Sequence, residues 1–149
     1  MATWSDFEAQ APDLAQAGHR LMWRAAAGEA LLATVRGDDV PRVHPINVEV
    51  VEGRLYAFLL PSAKRTDLER DGRYALHAHI DPASPSEFVV RGRAHAVAEA
   101  GVRARVAAAW SFEPDDTYRL FEFEIGWALL GERPDPDDWP PRYRRWTPA

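Results

Sequence analysis

Apolar positions recur along this chain with two different periods. Between Pro12 and Gly28 they fall three and four residues apart, so that Leu14, Leu21, Met22 and Ala25 share a face and Gly28 supplies a stop. Ser5 precedes Glu8 by three residues, the spacing of a capping box. Together these predict an N-terminal helical segment over 1–28, broken near Pro12. From residue 29 the period shortens to two. Strands are predicted over 29–36, 43–51 and 55–60, joined by the turn-forming stretches "GDDVPR" and "EGR". A short helix over 62–71 separates them from a strand at 73–80 and a long one at 87–99, in which Gly92 marks a bend. An alanine-rich helix over 101–110 precedes the clearest alternation, 117–131, with Phe121, Phe123, Ile125, Trp127 and Leu129 on one side. On this reading Trp127 belongs to the core. The proline-rich segment 132–149 holds a last strand and tail around "PRYRRW".

Strands joined by short turns and only occasionally interrupted by helices predict a mainly β, α+β domain. The expected architecture is an antiparallel barrel of six or seven strands with two or three flanking helices, not a parallel sheet. One domain spans 1–149: N-terminal helix 1–28, barrel 29–131, and C-terminal strand and tail 132–149. A chain of this length buries roughly two-thirds of its unfolded surface. Its 6 tryptophans, 6 phenylalanines and 4 tyrosines supply a core.

Charge narrows the function. With a net charge of −5 the chain lacks the basic face of a nucleic-acid binder. The absence of cysteine removes thiolate catalysis, disulfides and zinc–thiolate sites. The N-terminus carries no basic segment followed by an apolar one, and no apolar run is long enough to span a bilayer. A soluble, cytoplasmic protein without a membrane partner is expected.

The chemistry is concentrated in "LLPSAKRTDLERDGR", residues 59–73, where an apolar strand gives way to a helix. First-turn amides of a helix lack internal partners, and with the positive end of the helix dipole they suit a phosphate. Ser62 can add a hydroxyl, Lys64 and Arg65 charge, and Arg42 on the neighbouring strand a bidentate fork. The plainer reading is a Ser62 helix cap with Lys64 and Arg65 as solvated surface charges. Among five histidines, His77 and His79 share a strand face and His95 lies on the next strand. No carboxylate is placed to complete a metal set, so no metal site is expected. His44, on the strand facing this segment, is a candidate proton donor.

The order of these pieces over 33–80 resembles the flavin-binding split β-barrel family related to pyridoxamine 5′-phosphate oxidase. The likeness is carried by Pro41-Arg42, Glu52-Gly53, Ser62-Ala63-Lys64, Asp67-Leu68 and Asp71-Gly72-Arg73. It implies a homodimer with FMN at the subunit interface and the phosphate held by Ser62 and Lys64 with Arg42, close to Arg65. It also implies that Val43, His44, Pro45, Ile46 and Asn47 lie along the flavin ring, approached by Leu59 and Leu60. Asn47 stands where the vitamin-processing oxidase has a lysine, and "RYRRWTPA" reproduces that enzyme's arginine-rich end poorly. The resemblance is therefore to the small members that use FMN or a deazaflavin on another small molecule. The activity implied is flavin-dependent oxidoreduction, with a deazaflavin-dependent reductase or a non-catalytic flavin or haem carrier as alternatives.

Overall fold

A computed structural model describes residues 1–149. The strand periods become a seven-stranded antiparallel sheet: β1 Gly28–Val35, β2 Pro41–Val51, β3 Arg54–Leu59, β4 Arg73–Ala78, β5 Glu87–Ala96, β6 Arg119–Glu132 and β7 Arg142–Trp146. The order is β3-β2-β1-β4-β5-β6, and β3 pairs with β6 to close a six-stranded barrel, with β7 added to β6. Four helices flank it: α1 Trp4–Gln10, α2 Pro12–Met22, α3 Ala63–Arg70 and α4 Ala100–Ala108. The fourth arises because Pro12 divides the N-terminal segment into two helices.

Closure of the barrel depends on β6 serving two neighbours on one side. Its residues Arg119–Phe123 pair with β3 and its residues Ala128–Glu132 with β7. In the gap between them Ala2 pairs with Ile125 through two backbone hydrogen bonds of 2.9 and 2.8 Å. The β2–β3 hairpin turns on Glu52 and Gly53, both at positive φ, as a two-residue turn with matched twist requires.

The barrel interior is filled by inward residues of every barrel strand, among them Leu32, Val48, Leu55, Leu76, Val90 and Phe123. Trp4 and Phe7, one helical turn apart on α1, are fully buried against this core. That requirement sets where α1 begins. Its cap is Thr3, whose Oγ1 accepts from the Asp6 amide at 3.1 Å while Asp6 Oδ2 accepts from the Thr3 amide at 2.8 Å. The capping box thus lies two residues before the one the sequence predicts, because starting at Ser5 would leave Trp4 outside the first turn. Gly28 opens β1 instead of stopping a helix, and a Cβ there would meet Trp23 and the Val48 carbonyl at 2.6 Å.

The alternation read in β6 holds only to Ile125. The β5–β6 register jumps from Arg91 opposite Trp127 to Gly92 opposite Ile125, so Gly126 is an extra residue, a β-bulge. Beyond it Ala128 and Leu130 turn inward and Trp127 outward. Trp127 is therefore not core: it lies on the outer face beneath the Arg91 guanidinium, 4.1 Å from the ring centroid. A smaller apolar cluster of Tyr56, Phe58, Val106 and Leu120 sits outside the barrel, between β3, β6 and α4.

Candidate functional site

β2 divides its side chains between two environments. Ile46 and Val48 point into the barrel, on the face shared by Arg42 and His44, while Val43, Pro45 and Asn47 face outward and are exposed. β3 ends at Leu59, and Pro61 prevents its continuation. The extended Ser62 then caps α3, its Oγ accepting from the Arg65 amide at 3.4 Å and donating to the Leu60 carbonyl at 2.9 Å.

Between the end of β3 and the middle of β2 runs a groove of about 230 Å³. Pro45, Ile46, Asn47, Leu59, Leu60 and Lys64 line it, bringing together six of the residues singled out from the sequence. Its other wall is aromatic: Phe58, Trp110, Phe112 and Tyr118. Trp110 meets Phe58 edge-on at 5.0 Å, and Phe112 tilts against Tyr118 at 5.2 Å. Sequence reasoning missed this wall. Apart from Phe58 on β3, its residues come from the α4–β6 connection, far along the chain, and the one available signal was the density of aromatics over 110–118. A larger hollow between α1 and α2, about 590 Å³, is lined by Glu8, Pro12, Asp13, Gln16, His19 and Arg20 and holds none of the residues singled out for cofactor binding.

The cations of this region have different roles. Arg42 Nε donates to Asp67 Oδ2 at 2.9 Å, and the same oxygen accepts from Thr34 Oγ1 at 2.7 Å. Burial opposes ionisation of Asp67, but the hydrogen bonds from Arg42 and Thr34 outweigh it and hold the carboxyl below its ordinary range. Arg65 Nε donates to Glu69 at 3.0 Å and its Nη1 to the Thr117 carbonyl at 2.9 Å, tying α3 to the start of β6. Both arginines are structural ties first. Lys64, half-buried at the foot of the groove, has no such partner.

His44 lies inward of the groove. Its Nε2 is buried without a hydrogen-bond partner. Burial, then the charges of Lys64 and Arg42, push its pKa down, against a smaller opposing pull from Asp67. It is thus held neutral. Val43 is 60% exposed on the outer face and does not line the groove. The remaining histidines do not converge: His77 is opposite Val89 at one end of β5, while His95 lies at the other end, 3.8 Å from Glu122.

Solved structures superpose on this closed six-stranded antiparallel barrel with its seventh strand and the helix inserted after β3. A general stress protein 26 from Bacillus anthracis superposes with a TM-score of 0.62 at 16% identity, over 88% of this chain and 98% of that one. The fold is that of the split barrels. A protein from Clostridium acetobutylicum related to general stress protein 26, described as of the pyridoxinephosphate oxidase family, matches at TM-score 0.62 and 11% identity over 96% and 95% of the two chains. A haem-binding protein from Mycobacterium smegmatis matches at TM-score 0.64 and 14% identity, over 88% of this chain and 57% of its own. This chain thus spans little more than half of that protein's length. No protein-family model matches the sequence, and no curated protein does. No helix is long and apolar enough to cross a membrane.

Proposed function

We propose that the groove is one half of a flavin site, that the cofactor is FMN, and that the chain acts as a homodimeric oxidoreductase on a small molecule. The observation that carries this reading is the placement of Lys64, a cation without an ion-pair partner, at the foot of an aromatic-walled groove. It stands in the first turn of α3, where the amides of Ala63 and Lys64 have no intrahelical acceptor. A phosphate is the group that such a corner attracts, and Phe112 and Tyr118 offer faces to a planar ring. With Arg42 committed to Asp67 and Arg65 to Glu69, the phosphate charge falls to Lys64 and the helix amides, beside the Ser62 hydroxyl.

The groove is smaller than the roughly 300 Å³ at which ligand pockets begin, so one chain encloses only part of such a cofactor. Leu31, Val43 and Leu60 leave apolar surface exposed near it, which supports closure by a second copy. When bound, FMN supplies the hydride and electron chemistry. The chain's contribution is to hold the phosphate, stack the ring and exclude water. The split-barrel relatives support the cofactor class, and the haem-binding relative marks the alternative. A cytoplasmic setting fits this reading.

The test is a visible spectrum of purified protein followed by fluorescence titration with FMN, in wild type and Lys64→Ala. A two-banded flavin envelope and an affinity loss of about 10-fold or more in the variant are expected for a charge-assisted contact. Equal affinity in both proteins would refute the phosphate assignment. A single deazaflavin-like band or an intense haem band would replace FMN by that cofactor.

A further inference from the structure

Pro45, Ile46 and Asn47 form a ridge with a hollow on each side. One is the aromatic groove, which ends on Lys64. The other, about 350 Å³, is closed by Glu29 and His79. Their convergence follows from register. Glu29 is directly opposite Asn47 on β2, and on its other side β1 pairs Ala30 with Ala78, which brings His79 alongside Glu29. Alternation sends Glu29 and Asn47 outward, away from the buried Ala30 and Val48.

Three polar side chains therefore border one hollow, and none is committed elsewhere. The neighbouring charged side chains are already engaged in hydrogen bonds or ion pairs. Arg24 bonds the His79 carbonyl and sits 3.8 Å from Asp81, while Glu49 accepts from the Trp23 indole at 3.2 Å. Glu29 remains as a carboxylate without a cation, flanked by the carboxamide of Asn47. That set accepts hydrogen bonds and favours positive charge. The two sides of the ridge thus present opposite charge.

We propose that the hollow of Glu29, Asn47 and His79 binds a small organic cation through a primary ammonium group, and that it is the substrate side of the ridge. The second clause rests on the flavin reading of the adjoining groove, whereas ammonium binding does not. Glu29 takes the ammonium in a charge-assisted hydrogen bond, Asn47 Oδ1 accepts a second one, and the His79 ring forms the far wall.

The experiment is an NMR titration of ¹⁵N-labelled protein without cofactor, at constant ionic strength, using ethylammonium chloride and, in parallel, sodium acetate. The carboxamide signals of Asn47 are the reporter. Ethylammonium is expected to move them saturably and acetate to leave them in place. Glu29→Gln, at an exposed position, should weaken binding about 10-fold, whereas Glu99→Gln, at the start of α4 beyond the opposite end of β5, should not. A linear, unsaturated response, an equal response to acetate, or an unchanged affinity in Glu29→Gln would each overturn the proposal. Because no flavin is present, failure here leaves the cofactor reading standing, and a protein that binds no flavin can still pass.

Discussion

Replacing Asp67 by Ala tests how α3, and with it the groove, is held in place. Asp67 is 4% exposed, and one of its oxygens takes both the Arg42 guanidinium and the Thr34 hydroxyl. Removing it strands the 2% exposed Thr34, at a cost of about 1–3 kcal/mol for an unsatisfied buried hydroxyl. Arg42 loses a charge-assisted bond, but its side chain is 30% exposed and water recovers part of that loss. The total is about 3 kcal/mol, near the lower end for breaking a buried pair. With a urea slope of about 2 kcal/mol/M for a domain of this size, the midpoint falls by about 1.5 M. The assay is urea unfolding followed by tryptophan fluorescence, repeated from pH 7 to pH 3. Since the native carboxyl ionises below its unfolded range, its contribution is complete above about pH 5 and fades as acid protonates it. The gap between wild type and variant should close accordingly. A midpoint shift below about 0.3 M at pH 7 with unchanged slope would refute the argument. A gap that stayed constant down to pH 3 would refute the linkage.

Other outcomes follow from the same contacts. His44 is held neutral by burial and by Lys64 and Arg42, so wild type should lose stability as pH falls below about 6.5. His44→Gln should lack that segment of the pH profile, and identical profiles would refute the burial and charge effects assigned to His44. Val43→Asp places a charge on the exposed apolar face, and sedimentation should show a monomer in place of the proposed dimer, with flavin retention lost in parallel. An unchanged mass would show that this face is not the interface. Trp127→Ala, on the outer face, should cost only about 1 kcal/mol, whereas Phe88→Ala in the core should cost about 3–5 kcal/mol in the same unfolding assay. Comparable losses would contradict the bulge.

Much of the barrel is legible in the sequence because its strands alternate and its turns are short. Ile46 and Val48 against Asn47, or Tyr74, Leu76 and Ala78 against His77, are sorted by period alone. Period fails where one residue is inserted, as at Gly126, because nothing in a single sequence distinguishes a bulge glycine from any other. It also fails at the N-terminus, where the cap is chosen by the burial of Trp4 and Phe7 and not by the best local spacing. In the groove, the contributions of β2, β3 and Lys64 are readable because they lie close along the chain. The assignment of Arg42 to Asp67, 25 residues away, and the wall formed by Trp110, Phe112 and Tyr118 depend on closure of the barrel. Local pattern cannot express those distances.

The extra residue at Gly126 has a consequence for how this strand records mutation. Before it, odd-numbered positions face the barrel interior; after it, even-numbered ones do. Substitution tolerance along β6 should therefore change parity at one site, with charged replacements rejected at Phe123 and Ile125, then accepted at Trp127 and rejected again at Ala128. Two split barrels that differ only in keeping or losing this residue would place their interiors on opposite parities for the rest of the strand. Position-by-position comparison without a gap there would match inside with outside. Kinship between such chains would then be visible in their shape and hidden in their letters.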